Sequence, residues 1–349
     1  MKTTDDLTFQ PDFHRAIEYF RGQEAYQTSP LREVSGPDGQ TIWLKDETSR
    51  MGLGAFKALG GPYAVARLIM QGWTAETGEE IEASRLKDAD LRAFASGQTF
   101  VCASAGNHGL GVAAGAQALG ARARIFLAKT VPQSFDERLA ERGAEVVRAG
   151  ETYDDSVAEA IADADRTGAT LLADGTWPGY TDIPKLVMEG YTVIAEELRS
   201  NFETTGIWPT HVYLQAGVGG LAAAMAHMIR RNWAEQPELI VVEPEAAPCL
   251  VASHEAGKPV RADGPDSNMG RLDCKEPSIV AWQTLERSGV RFVTLTEDEG
   301  EAAARAVTGL GMATTPSGAA GYAALCKEFP EGAPRAEFRP LVIISEGPA

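Results

Sequence analysis

Residues 99–120, TFVCASAGNHGLGVAAGAQALG, decide the fold. A short apolar run, TFVCA, enters a Ser-Ala-Gly-Asn-His-Gly turn, and small apolar residues at helical spacing follow. A run of that length bounded by a turn reads as a buried strand, and the spacing after it as a helix. Strand, tight turn and helix in immediate succession make half of a β-α unit, whose strands lie parallel.

The alternation continues on both sides. Residues 41–45, 123–127, 144–148, 170–173, 211–215, 239–242, 291–295 and 341–345 read as further strands. Residues 56–70, 108–119, 153–166, 183–198, 221–230 and 297–307 read as helices. An α/β fold of open, twisted, mainly parallel sheets covered by helices is therefore expected. The chain has 349 residues, which at about 150 residues per domain suggests two domains. Its 36 glycines are about a tenth of the chain against an average near 7%, in keeping with many tight turns. Residues 72–96, which include TAETGEEIEASRLKDAD, are charged and weakly periodic and read as a surface insertion or a crossover. The polar stretch 255–266 reads as a softer boundary, and no internal repeat is visible.

With 32 Lys and Arg against 49 Asp and Glu, the net charge of −17 argues against a nucleic-acid partner, which needs clustered cations. Residues 1–12 lack the apolar core of a signal peptide, and no apolar run reaches the roughly 18 residues of a membrane span. Cys102, Cys249, Cys274 and Cys326 are scattered and form no Cys-x-x-Cys pair. Neither a disulfide framework nor a metal site is expected, and a cytoplasmic protein with reduced thiols is.

Three glycine-rich clusters carry the chemistry. In KDETSRMGLGAFKALGG, residues 45–61, Lys57 falls at a helix start, where the positive dipole end should lower its pKa. It reads as an amine nucleophile or as an exposed lysine of the first turn. In the 99–120 stretch the amide groups at the helix start form a seat for a carboxylate or phosphate. His108 there reads as capping or orienting the loop more than as a proton carrier. The third cluster, YLQAGVGGLAAAM at 213–225, lacks the Lys-Ser/Thr of a nucleotide P-loop and the spacing of a dinucleotide fingerprint. A single phosphate on its amide groups fits better.

In this order, the three clusters resemble the fold-type II pyridoxal-phosphate enzymes, which include the threonine and serine dehydratases. A closer resemblance, to the diaminopropionate ammonia-lyases, is carried by GLGAFKALGG at 52–61, DGTWPGYTDIPKLVMEGY at 174–191, QAGVGG at 215–220, LDCKEPS at 272–278 and IISEGPA at 343–349. The resemblance implies two α/β domains of the tryptophan synthase β-like kind with pyridoxal 5'-phosphate in the cleft between them. Residues 1–85 and 176–349 would form the larger domain and 86–175 the smaller. It implies that Lys57 holds the cofactor as a Schiff base and that Asn107 contacts its hydroxyl. Gly217, Val218, Gly219 and Gly220 would hold its phosphate, and Ser104, Ala105 and Gly106 the substrate carboxylate. Ser317, in TTPSGAAG, would meet the pyridine nitrogen, with Thr315 the weaker candidate. A neutral hydroxyl there would leave that nitrogen largely unprotonated and favour β-elimination.

Two positions depart from the lyase pattern. Ala105 stands where those enzymes usually carry an aspartate, while a second acid is present as Asp174. Asp174 holds a substrate amine, helps a leaving group depart, or caps its turn. Arg271, in SNMGRLDC, puts a cation where a small or apolar residue is usual. It pairs with an anionic β-substituent or forms a surface salt bridge.

The resemblance thus implies β-elimination from 2,3-diaminopropionate or a related β-substituted amino acid, acidic ones included, giving a 2-oxo acid and ammonia. Lys57 and Asp174 are the catalytic candidates. The alternatives are a serine, threonine or hydroxyaspartate dehydratase, a β-replacement synthase, and an inactive binding protein on the same scaffold. A small amino-acid substrate and a homodimer are the implied partners.

Overall fold

The computed structural model describes residues 7–36, 39–104, 106–328 and 338–348. Among these, ten strands form two sheets: β1 (Leu31–Ser35), β2 (Thr41–Asp46), β3 (Thr99–Ala103), β4 (Arg122–Leu127), β5 (Glu145–Arg148), β6 (Thr170–Leu171), β7 (His211–Gln215), β8 (Glu238–Pro244), β9 (Arg291–Leu295) and β10 (Pro340–Ile344). The larger sheet has the order β1-β2-β10-β7-β8-β9, and the smaller the order β5-β4-β3-β6. All pairings are parallel except that of β1 with β2. The strands of the smaller sheet lie between residues 99 and 171, and those of the larger sheet come before and after.

The strands expected from apolar runs are all present, because parallel strands covered on both faces print as near-continuous apolar sequence. In β10 every residue is buried. The edge strand β1, LREVS, was not anticipated: its charged Arg32 and Glu33 are exposed, so its sequence carries no buried run. Residues 72–96 are not a plain surface insertion. The preceding helix runs on to Thr77, and a short helix, Ala89–Ser96, buries Leu91 and Ala95.

Three helices meet backbone to backbone: Lys57–Thr77, Asn107–Leu119 and Asp182–Thr205. A Cβ on Gly61 would fall 2.7 Å from the carbonyl carbon of Gly111, and one on Gly190 would run into the carbonyl oxygen of Leu59. Only glycine allows that approach. The contact brings the N-termini of the first two helices, and so Lys57 and Asn107, to neighbouring positions beyond the carboxyl ends of β2 and β3. Ligands of open α/β sheets bind at those ends.

Candidate active site

Lys57 is the first residue of its helix, and its ammonium pairs with the Asp174 carboxylate. The two side chains are 22% and 21% exposed, so the pair is only partly covered. Asp174 follows β6 and comes from a part of the chain 117 residues away. Burial alone would release the lysine's proton, but Asp174, with Tyr191 and Cys274 behind it, holds the ammonium well above the usual lysine range. The expectation of a lowered pKa is therefore corrected, because a paired carboxylate outweighs both burial and the helix end. Burial would likewise raise Asp174, yet Lys57 and His108 outweigh it and hold the carboxylate below its ordinary range.

A second group lies around Glu346, just past the end of β10. Its Oε2 accepts from Asn107 Nδ2 at 2.5 Å, and its Oε1 from the Thr315 hydroxyl at 2.6 Å. Arg271 Nε lies 3.8 Å from Oε2. The guanidinium rests 5.8 Å over the Phe135 ring, on a helix of the smaller lobe, and flanks Gly106, where a Cβ would lie 3.5 Å from it. Arg271 thus lies between the buried Glu346 carboxylate and the Phe135 ring, with its side chain 32% exposed. Its backbone N–H donates to the buried Ser317 hydroxyl at 3.1 Å. Ser104 Oγ accepts from the N–H of Gly106 at 3.2 Å, and Ala105 lies outside the described residues.

The glycine loop closes the site from the larger sheet. It follows β7, reaches a φ of 98° at Gly219, and feeds the helix Gly220–Asn232. That positive φ suits glycine, and the first amide groups of the helix have no intrahelical acceptor. A Cβ on Gly217 would lie 2.9 Å from Cys274 Sγ, so the loop sits directly on the 271–274 segment. The Val218 carbonyl accepts from the N–H of Ser278 at 3.0 Å. Ser278 Oγ in turn lies 2.7 Å from Thr176 Oγ1, which ties the Asp174 turn to the loop.

His108 Nε2 lies 2.8 Å from the Leu172 carbonyl, as an orienting residue would. Its buried Nδ1 has no hydrogen-bond partner among the described residues, and the same holds for Arg271 Nε. Burial lowers the His108 pKa, with Asp174 opposing. The Cys274 thiol is pushed up to about 12, first by burial and then by Asp174. Glu346, Tyr191 and Cys274 have no site role in the sequence reading. For Glu346 a signal existed, since an acid two residues past an all-apolar strand stands where ligands bind.

Together these groups supply an amine, an amide donor, a glycine loop leading into a helix start, and buried polar atoms with unused capacity. That set suits a phosphorylated carbonyl compound, held covalently by Lys57 and electrostatically by the loop. A groove of about 480 Å³ between β4, β5 and the helix Tyr153–Thr167 is separate, and most of its charges are paired: Arg124 with Glu145 and Asp163, and Arg166 with Asp163. Among the described residues no His, Cys, Asp and Glu cluster is arranged to hold a metal ion, and no helix is long and apolar enough to cross a membrane.

The family model described as pyridoxal-phosphate dependent enzyme matches residues 23–346. Diaminopropionate ammonia-lyase of Escherichia coli strain K12 is 34% identical over 284 residues, covering 81% of this chain and 70% of the relative. The crystal structure of the Escherichia coli diaminopropionate ammonia lyase in complex with D-serine matches with a TM-score of 0.84 at 29% identity, over 99% of this chain and 91% of that one. The crystal structure of a T.th. threonine deaminase matches with a TM-score of 0.76 at 25% identity, over 97% of this chain and 99% of that one.

Proposed function

This chain belongs to the family of pyridoxal-phosphate dependent enzymes, and from that premise we propose that it is an ammonia-lyase. Its reaction is β-elimination from a small amino acid, 2,3-diaminopropionate or a related β-substituted and acidic one, to a 2-oxo acid and ammonia. The observation that carries this reading is the Lys57–Asp174 pair, an amine at a helix start facing a carboxylate at the mouth of the cleft.

Pyridoxal phosphate, when bound, supplies a conjugated ring that takes up the electron pair left when the α-proton departs. Lys57 would hold it through Nζ, Asn107 would meet its ring hydroxyl, and residues 217–220 would seat its phosphate on amide groups. Ser317 would offer a neutral hydroxyl to the ring nitrogen, because Thr315 already donates to Glu346. Lys57 Nζ, when neutral, would take the α-proton. Asp174, which stays ionised, then holds the resulting ammonium and stands ready for a departing amine. The turn at Ser104, Ala105 and Gly106 takes the substrate carboxylate, and Arg271 takes an anionic group on the β-carbon.

The test is a product screen of the reconstituted protein with L- and D-2,3-diaminopropionate, serine, threonine, 3-hydroxyaspartate and cysteate, beside Lys57→Ala. Ammonia and a 2-oxo acid are expected, with at least about a thousandfold loss in Lys57→Ala. A new amino acid formed with added sulfide would move the assignment to β-replacement. Turnover of serine or threonine alone would move it to a dehydratase, a reaction the same groups serve. No turnover and no visible absorption from bound cofactor would overturn it.

A further inference from the structure

The reading above gives Glu346 no task, yet this carboxylate is the hub of the cleft. It is 3% exposed, and its side-chain oxygens accept from Asn107 and Thr315. Its backbone carbonyl accepts from Thr314 Oγ1 at 2.5 Å, and it bridges to Ala55, two residues before Lys57. A carboxylate can only accept, so Asn107 satisfies it only with the amide nitrogen turned towards it. An amide nitrogen carries two N–H groups, so a second donor is left over for another acceptor. Thr315 is fixed in the same way: its oxygen accepts from Gly318 N–H at 3.0 Å, and its hydrogen goes to Glu346.

We propose that Glu346 is a positioning residue for the cofactor: it locks the Asn107 amide with its nitrogen towards the cleft and places a negative charge beside the group that Asn107 binds. The proposal rests on the assignment of Asn107 to the cofactor hydroxyl. Asn107 opens the helix that follows β3 of the smaller sheet, and Glu346 follows β10 of the larger. Their hydrogen bond therefore also ties the two sheets together across the cleft. Burial raises the Glu346 pKa, and Thr315, Arg271, Lys57 and Asn107 each oppose that rise, so the charge depends on the groups it orients.

The test uses wild type, Glu346→Gln, Asn107→Ala and the double variant, each reconstituted with pyridoxal phosphate. Cofactor affinity is read by equilibrium dialysis, and the pH midpoint of the visible absorption by titration. Glutamine keeps the size of the side chain, removes the charge and accepts at one end only. Glu346→Gln should bind the cofactor about tenfold more weakly, the weight of one charge-assisted hydrogen bond. A lost negative charge disfavours the protonated form, so the midpoint should fall by about one pH unit. In the Asn107→Ala background the same substitution should cost no further cofactor affinity, while the fall in the midpoint, which the lost charge alone produces, should persist. Equal losses of affinity in both backgrounds would overturn the proposal, because a merely structural role persists without Asn107. Thr315→Val keeps Glu346 in place and should lower the midpoint by a smaller amount, and no shift in either variant would also overturn it. A wild type whose visible band matches that of Lys57→Ala would instead refute the cofactor reading, and the role of Glu346 with it. A normal wild-type band with an unaltered Glu346→Gln would refute only that role.

Discussion

Two clusters of charge in this chain have the same composition, two cations and two carboxylates, and opposite character. Lys45, Glu47, Arg50 and Glu197 are sealed in the interior, with side chains no more than 2% exposed. Lys45 meets Glu197 at 2.5 Å, Arg50 meets Glu47 at 2.7 Å and Glu197 at 2.8 Å, and Ser29 accepts from Arg50 at 2.8 Å. Lys57, Asp174, Arg271 and Glu346 line the cleft, where three of the four are 21–32% exposed and Arg271 stays 3.8 Å from its carboxylate. The first cluster has used its hydrogen-bonding capacity on itself and on Tyr26, Gln27 and Ser29, and the second has capacity to spare. Saturation, rather than residue type, separates the two clusters.

Removing one member of each cluster should break the symmetry of composition most visibly. Glu197→Ala leaves Lys45 and Arg50 with one carboxylate between them, away from water, and should cost roughly 3–5 kcal/mol in urea unfolding. Lys57→Ala leaves Asp174 where water can reach it and should cost about 1 kcal/mol or less. Equal losses would erase the distinction.

A smaller effect should follow from cutting the counter-ion in the cleft. Asp174 is what overrides burial at Lys57, so in Asp174→Asn burial prevails and Nζ becomes neutral at lower pH. Covalent attachment of the cofactor needs the neutral amine, so its rate profile should move to lower pH by about two units, as followed by stopped-flow absorbance. A profile that stays in place would show that another group holds the proton.

The same contrast explains what could be read from the sequence. The β-α alternation was legible because buried parallel strands leave apolar runs, and the helix starts near Lys57 and Asn107 and the 217–220 loop were legible because each follows a strand with a turn. What could not be read is pairing over long sequence separations. Lys45 meets Glu197 across 152 residues, and Lys57 meets Asp174 across 117. The direction of the Lys57 shift was missed for that reason, since the helix end is local and the carboxylate is not. Asn107 and Glu346 are 239 residues apart, so only folding reveals the hub they form.

Arg271 gives the finest test of the comparison, because it is the loosest member of either cluster. Its backbone is held by Ser317 and its guanidinium by little more than Phe135 and a distant Glu346. A cation with an unused buried Nε can bind an anion without first giving up a strong partner, which Arg50, committed to two carboxylates, cannot do. Arg271→Ala should therefore lower kcat/KM for cysteate and 3-hydroxyaspartate relative to serine by about tenfold, the weight of one charge-assisted hydrogen bond. Cofactor affinity and stability should change little, since the side chain is not part of a saturated network. An unchanged ratio would mean that Glu346 already satisfies Arg271 in the working enzyme, and the cleft would then be closer in kind to the sealed cluster than its open geometry suggests.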